Sequence, residues 1–225
     1  MSDTDSFIDE VTEAVRQDKL WAAFKKWGWI GAVIIIAIVG GTAWNAWQKE
    51  KTQAEARAFG DKVMAAVNGD TTGADLAKIT PDGPGRAAVL KIMQGDAAIE
   101  AGKPDEAIKF FDAVSAEPGL PASISDLAKL KAVIAAGDKM DAAKRDATLQ
   151  ELATPGAPYR LLAMEQQAAA ALSSGDKEGA ISIAQQILED AGLTPGLQQR
   201  ATELIVALGG EVPTQPGQGA PALQE

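Results

Sequence analysis

Three short segments repeat one set of reactive groups along the chain: GKPDEA at 102–107, GDKMDA at 137–142 and GDKEGA at 175–180. Each sets a lysine among two carboxylates. Such groups can move protons, and carboxylates that converge can hold a hard cation. Their position points elsewhere. Acids just behind a glycine belong at a helix start, where negative charge interacts favourably with the helix dipole. The chain has no histidine and no cysteine. That removes the commonest general base, the commonest metal ligand and all thiol or disulfide chemistry. No GxSxG elbow and no GxxxxGK[ST] phosphate loop occurs. DTTG at 70–73 departs from the aspartic-protease DTG by an extra threonine. The expectation is a protein without catalytic residues, cofactor, metal site or small-molecule substrate.

The formal net charge is -10. Phosphate backbones need clustered Lys and Arg, so nucleic acid is not an expected partner. The acidity reads as a solvated surface.

The elements that carry the three segments are helical. Gly69, Gly102, Gly137 and Gly175 lie 33, 35 and 38 residues apart, and Ala74, Ala107, Ala142 and Ala180 each follow five residues later. This period, with a glycine turn between two helical runs, predicts stacked helical hairpins. A hairpin cannot bury its apolar stripe alone, and stacking joins the stripes into one core. The glycines allow a turn at positive φ, the acids favour the next helix start, and the small alanines let paired helices approach. Pro81, Pro118, Pro155 and Pro195 close the units. The second unit is the clearest. It predicts helices over 86–101 and 105–116, with Ile108, Phe111 and Val114 inward. Gly95, Ala98, Gly102, Ala107 and Phe111 resemble the small and aromatic positions of the tetratricopeptide repeat; Pro118 falls one place early. The first unit has a weak second helix. The third has Leu130 where its first helix should carry a small residue. The fourth has Ala168, Gly175, Ala180 and Ala184. A closing helix is expected over 196–208, and the Pro/Gly-rich tail, 209–225, reads as disordered.

Before the repeats stands WGWIGAVIIIAIVGGTAWNAW, residues 27–47, without one charged residue. As a helix it measures about 31 Å, close to the hydrocarbon thickness of a bilayer. All five tryptophans lie in or beside it, at 21, 27, 29, 44 and 47. Trp27, Trp29, Trp44 and Trp47 are placed to anchor a span in the two interfaces. Gly41-Thr42-Ala43 would pass for a cleavage site, but the preceding segment is long and holds six acids, unlike a short basic export signal. A retained single span fits better than a cleaved signal or a buried core helix. Lys and Arg near its two ends number four and four, Arg16, Lys19, Lys25 and Lys26 against Lys49, Lys51, Arg57 and Lys62. The Lys25-Lys26 pair mildly favours the N-terminus inside. Residues 1–26 form the N-terminal segment. Within it, Ser6 with Asp9 resembles a capping box, and 6–26 reads as an amphipathic helix of its own or as an extension of the span.

The predicted fold is therefore all-α: an N-terminal helix, one transmembrane helix, then a helical-repeat solenoid over 48–208. This arrangement, with SDTDSFIDEVTEAVRQDKL ahead of the WGW…WNAW span, resembles the YfgM-like family of bacterial inner-membrane proteins. The resemblance implies a cytoplasmic N-terminus and periplasmic repeats. It also implies an ancillary role at the Sec translocon, beside a membrane-anchored prolyl isomerase, in a chaperone network that handles exported clients. The lipid bilayer would be the other partner. A structural accessory of another inner-membrane complex is the alternative.

Overall fold

The computed structural model describes the backbone of residues 3–69 and 71–213, and the side chains of 25, 26, 29, 30 and of those positions from 33 onward. Among the described residues the chain is helical throughout, with no strand: α1 Asp3–Val67, α2 Thr72–Leu76, α3 Pro84–Glu100, α4 Pro104–Ser115, α5 Ala122–Ala136, α6 Ala142–Leu152, α7 Arg160–Ser173, α8 Lys177–Leu188 and α9 Pro195–Ala207. It divides into two compact units, Met1–Asp61 and Lys62–Glu225. The tail beyond 213 lies outside the described residues.

The first unit is one helix. No proline occurs before Pro81, so nothing interrupts the hydrogen-bond ladder, and α1 runs unbroken for 65 residues. Of the two readings of 6–26, the continuous one matches the backbone: Ser6 lies inside the first turns of α1, not at a cap. Every residue from Val33 to Ala58 is exposed. Positions 33–39 are Val, Ile, Ile, Ile, Ala, Ile and Val. Seven successive positions cover the whole circumference of a helix, so α1 is apolar all round there rather than along one stripe. Among the described residues, no helix is long and apolar enough to cross a membrane; the predicted span includes residues 27, 28, 31 and 32, whose side chains are outside the description.

The second unit is built from three successive cores, and the sharing of helices between them is compatible with a solenoid. Ala88, Ile92 and Ala98 of α3, Ala107, Phe111 and Val114 of α4, and Ala128 and Ala132 of α5 form the first. Leu130 and Val133 of α5, Leu149 and Leu152 of α6, and Ala163 of α7 form the second. Met164 of α7, Ala184, Ile187 and Leu188 of α8, and Leu197, Ala201 and Ile205 of α9 form the third. Helix α5 thus turns Ala128 and Ala132 backward and Leu130 and Val133 forward. Helix α7 does the same with Ala163 and Met164. Only alternating buried faces on one helix allow each hairpin to pack on both neighbours. No charged or polar side chain is buried among the described residues.

Hairpin ends follow the local sequence. Asp176 caps α8 by accepting from the Gly179 N–H at 2.8 Å, and Asp141 caps α6 by accepting from Lys144 N–H at 3.0 Å. Helix α4 has no such cap; Lys103 precedes Pro104 at its first position, where a missing N–H costs nothing. Pro81, Pro118 and Pro155 lie between elements, while Pro195 opens α9. The closing helix, Pro195–Ala207, covers the last core.

Candidate functional site

The predicted packing residues separate into two groups. Gly95, Ala107, Phe111 and Ala180 are buried at the crossings of α3 with α4 and of α7 with α8. Ala74 and Ala142 are exposed. In α4 and α8 the alanine is the fourth helical residue. In the third unit a 3-10 turn, Gly137–Lys139, intervenes, so five residues after Gly137 reaches only the first position of α6. The fourth is Arg145. In the first unit α2 has five residues, and Leu76, 1% exposed, does the packing in place of Ala74. The turn glycines divide as well. Gly102, Gly137 and Gly175 have φ of 72°, 51° and 86°. Gly69 is not among the positive-φ glycines; Asp75 Oδ2 lies 3.2 Å from where its Cβ would stand.

Arg145 is the residue that counting by fives missed. Large side chains, Leu130 and Arg145, stand where the other hairpins carry Gly95 with Ala107 and Ala168 with Ala180. Two open clefts flank Arg145. One, about 170 Å³, is lined by Val133, Ile134, Leu149, Gln166 and Ser173 with Arg145. The other, about 480 Å³, is lined by Ala142, Asp146, Gln150, Gln167 and Ser174 with Arg145. The Arg145 Nε–H donates to Asp146 at 3.0 Å. Ile134, 53% exposed, borders the smaller cleft. A cleft with an exposed aliphatic, amides and one guanidinium suits a peptide: its carbonyls and carboxylates find donors, and its apolar side chains find Ile134. The signal was present in the sequence as the lengthened turn GDKM ahead of the capping Asp141.

Ion pairs fix the hairpins in register. Lys131 on α5 donates to Asp96 on α3 at 2.7 Å, and its ammonium stands 5.8 Å from the Phe111 ring centre. Lys129 on α5 donates to Glu151 on α6 at 2.7 Å; that carboxylate, helped by Asp126, raises the lysine above its ordinary value. Arg200 on α9 grips both oxygens of Glu165 on α7, at 2.5 and 2.8 Å, which raises the guanidinium. Asp190 accepts from the Gly192 N–H and from Arg160, and these two bonds hold its carboxyl below the ordinary value. Asp75 is lowered by hydrogen bonds from Lys78 and Thr71. Each carboxylate is engaged in a turn or a clamp between helices. Among the described residues no three acids gather closely enough to hold a metal ion. Tyr159 donates to the Ser123 carbonyl at 2.8 Å, tying the start of α7 to the start of α5.

On α1, Trp29, Trp44 and Trp47 are exposed; the Trp27 side chain lies outside the described residues. Trp44 and Trp47 rings stand 5.4 Å apart, centre to centre, and the Lys51 ammonium lies 5.8 Å from the Trp47 ring centre.

Comparison with known proteins finds no matching family model, no matching curated protein and no matching solved structure.

Proposed function

We propose that this protein is a membrane-tethered protein-binding scaffold of the bacterial inner membrane, with no catalytic activity. Residues 27–47 form a single span, the N-terminus is cytoplasmic, and the repeats work in the periplasm. The observation that carries the tether is the exposed apolar circumference of α1 at Val33–Val39. Soluble helices bury at least one stripe, whereas a helix apolar on all sides calls for hydrocarbon around it. The observation that carries binding is the hairpin stack with its clefts beside Arg145. Stacked hairpins present extended surfaces for a peptide or helix. The family resemblance names the partners: the Sec translocon, a membrane-anchored prolyl isomerase and exported clients.

The test is purification of the intact protein in mild detergent after in-cell crosslinking, with mass spectrometry of what is attached. Crosslinks from 27–47 to the translocon channel and from the repeats to a periplasmic folding factor would support the reading. Fixed-ratio recovery of another envelope or respiratory complex without the translocon would replace it with a structural-subunit role.

A further inference from the structure

We propose that Trp44, Trp47 and Lys51 form an interfacial clamp for the phosphate of an anionic phospholipid, and that this clamp sets the depth of α1 in the bilayer. The inference rests on the membrane reading above. The three residues follow one another at i, i+3 and i+7 on one face of a continuous helix. The two indoles are tilted at 45°. The lysine ammonium stands over Trp47 at a distance within the cation–π range of about 6 Å. Glu55 lies one turn beyond Lys51, yet the two form no ion pair, and Lys51 has none with any other described acid. Its charge is turned back toward the indole, and its three N–H donors have no acceptor among the described residues.

This arrangement matches the layering of a bilayer surface. Indole rings sit at the headgroup boundary, with their N–H toward the polar side. The Lys51 Cα is four residues past Trp47, about 6 Å farther along the axis, so its flexible stem can carry the ammonium from the ring out to the phosphate layer when the rings lie below it. The uncharged stretch ends at Gln48, so the clamp sits at the boundary where apolar helix gives way to charged helix. An anionic headgroup supplies the acceptor that the described residues do not.

The experiment uses the full chain with Trp21, Trp27 and Trp29 replaced by Phe, leaving Trp44 and Trp47 as reporters. It is reconstituted in vesicles of phosphatidylcholine with phosphatidylglycerol, and one lipid or the other is brominated so that it quenches neighbouring indoles. Brominated phosphatidylglycerol is expected to occupy the site about five-fold over brominated phosphatidylcholine, the preference that one basic residue near an anionic surface supplies. Lys51→Gln is expected to abolish that preference while quenching by phosphatidylcholine persists. Equal quenching by both lipids, unchanged by Lys51→Gln, would overturn the clamp and leave the membrane reading standing. No quenching by either lipid would overturn both. Loss of the preference on adding inorganic phosphate, but not chloride of equal ionic strength, would overturn the assignment to a lipid headgroup in favour of a free-anion site.

Discussion

The Phe111 ring fills the space where a side chain at Gly95 would begin: a Cβ there would stand 2.4 Å from the ring Cε1 and 2.7 Å from Cζ. Phe111 is 1% exposed and surrounded by Ala107, Val114 and Ala128, so the ring has no room to retreat. Gly95→Ala therefore forces a shift in the first core. Overpacking costs about 1–3 kcal/mol, and the better helix propensity of alanine offsets about 1. The expected outcome is a net loss of about 1 kcal/mol, read as a lower urea midpoint. Gly95→Ala combined with Phe111→Leu should show favourable coupling. A strictly additive double mutant would mean that the ring and the glycine do not meet.

Gly102 and Gly69 separate two kinds of turn. Gly102 has φ 72° and open space around it, so an alanine there suffers only from backbone strain, about 1–2 kcal/mol. Gly69 is outside the positive-φ set, and its replacement would meet the Asp75 carboxylate at 3.2 Å and the Ala65 and Ala66 carbonyls at ordinary contact distance. Gly102→Ala is expected to lower the thermal midpoint more than Gly69→Ala. The reverse order would contradict the backbone angles.

Much of the repeat region was legible in the sequence because its marks are local. Glycine turns, prolines between units and the apolar positions of 104–115 show directly where helices begin, end and bury a face. What was not legible depended on register. The five-residue interval from glycine to alanine holds at Gly102 and Gly175, where the helix starts two residues after the glycine. It fails at Gly137, where a 3-10 turn delays α6 and brings Arg145 to the crossing. It fails at Gly69 because α2 is too short to carry a packing face through Ala74. The junction at residue 26 stayed open between two readings for a different reason. Lys25 and Lys26 mark a change from charged to uncharged sequence, and a helix without proline crosses such a change unbroken. The candidate clefts flank Arg145, which periodicity marks only as an imperfection.

The middle hairpin should be the loosest part of the repeats. Its core has five buried side chains, Leu130, Val133, Leu149, Leu152 and Ala163, where the flanking cores have eight and seven. Fewer buried apolar contacts mean a lower free energy of local opening. Amide hydrogens of α6 are expected to exchange faster than those of α4 and α8. A partner seated in the clefts beside Arg145 should slow that exchange. Equal protection of α4, α6 and α8 would remove the argument that this hairpin is the adaptable one.

Acid should act on the second unit through Asp190. Its carboxyl is held below the ordinary 3.8 by the Gly192 N–H first and by Arg160 second. A group whose folded value is depressed contributes stability that is fully present above its unfolded value and is lost as pH falls through its folded value. Asp190→Asn should thus lower the thermal midpoint at neutral pH, and the gap from the natural protein should close as the pH is taken below 3.8. The same scan with Asp75→Asn, where Lys78 and Thr71 supply the hydrogen bonds, should show the same direction. A gap that widens in acid would reverse the sign and exclude both carboxylates as the source.

The apolar circumference of α1 gives the most direct test of the tether. Each of the isoleucines at 34, 35, 36 and 38 contributes about -0.3 to -0.6 kcal/mol to insertion at the helix centre, whereas a lysine there costs about 2.5–3.5. Ile35→Lys alone should bring insertion near balance. Ile35→Lys with Ile36→Lys should release the chain from the membrane fraction on flotation, with the helix content of the repeats unchanged. Lys51→Gln should leave the chain floating, because its role is to choose a headgroup and not to supply hydrocarbon contact. Flotation of the double lysine variant as complete as that of the natural chain would mean that something other than Val33–Val39 holds the protein at the membrane. A natural chain that does not float would end the tether reading and return the exposed isoleucines to a protein partner.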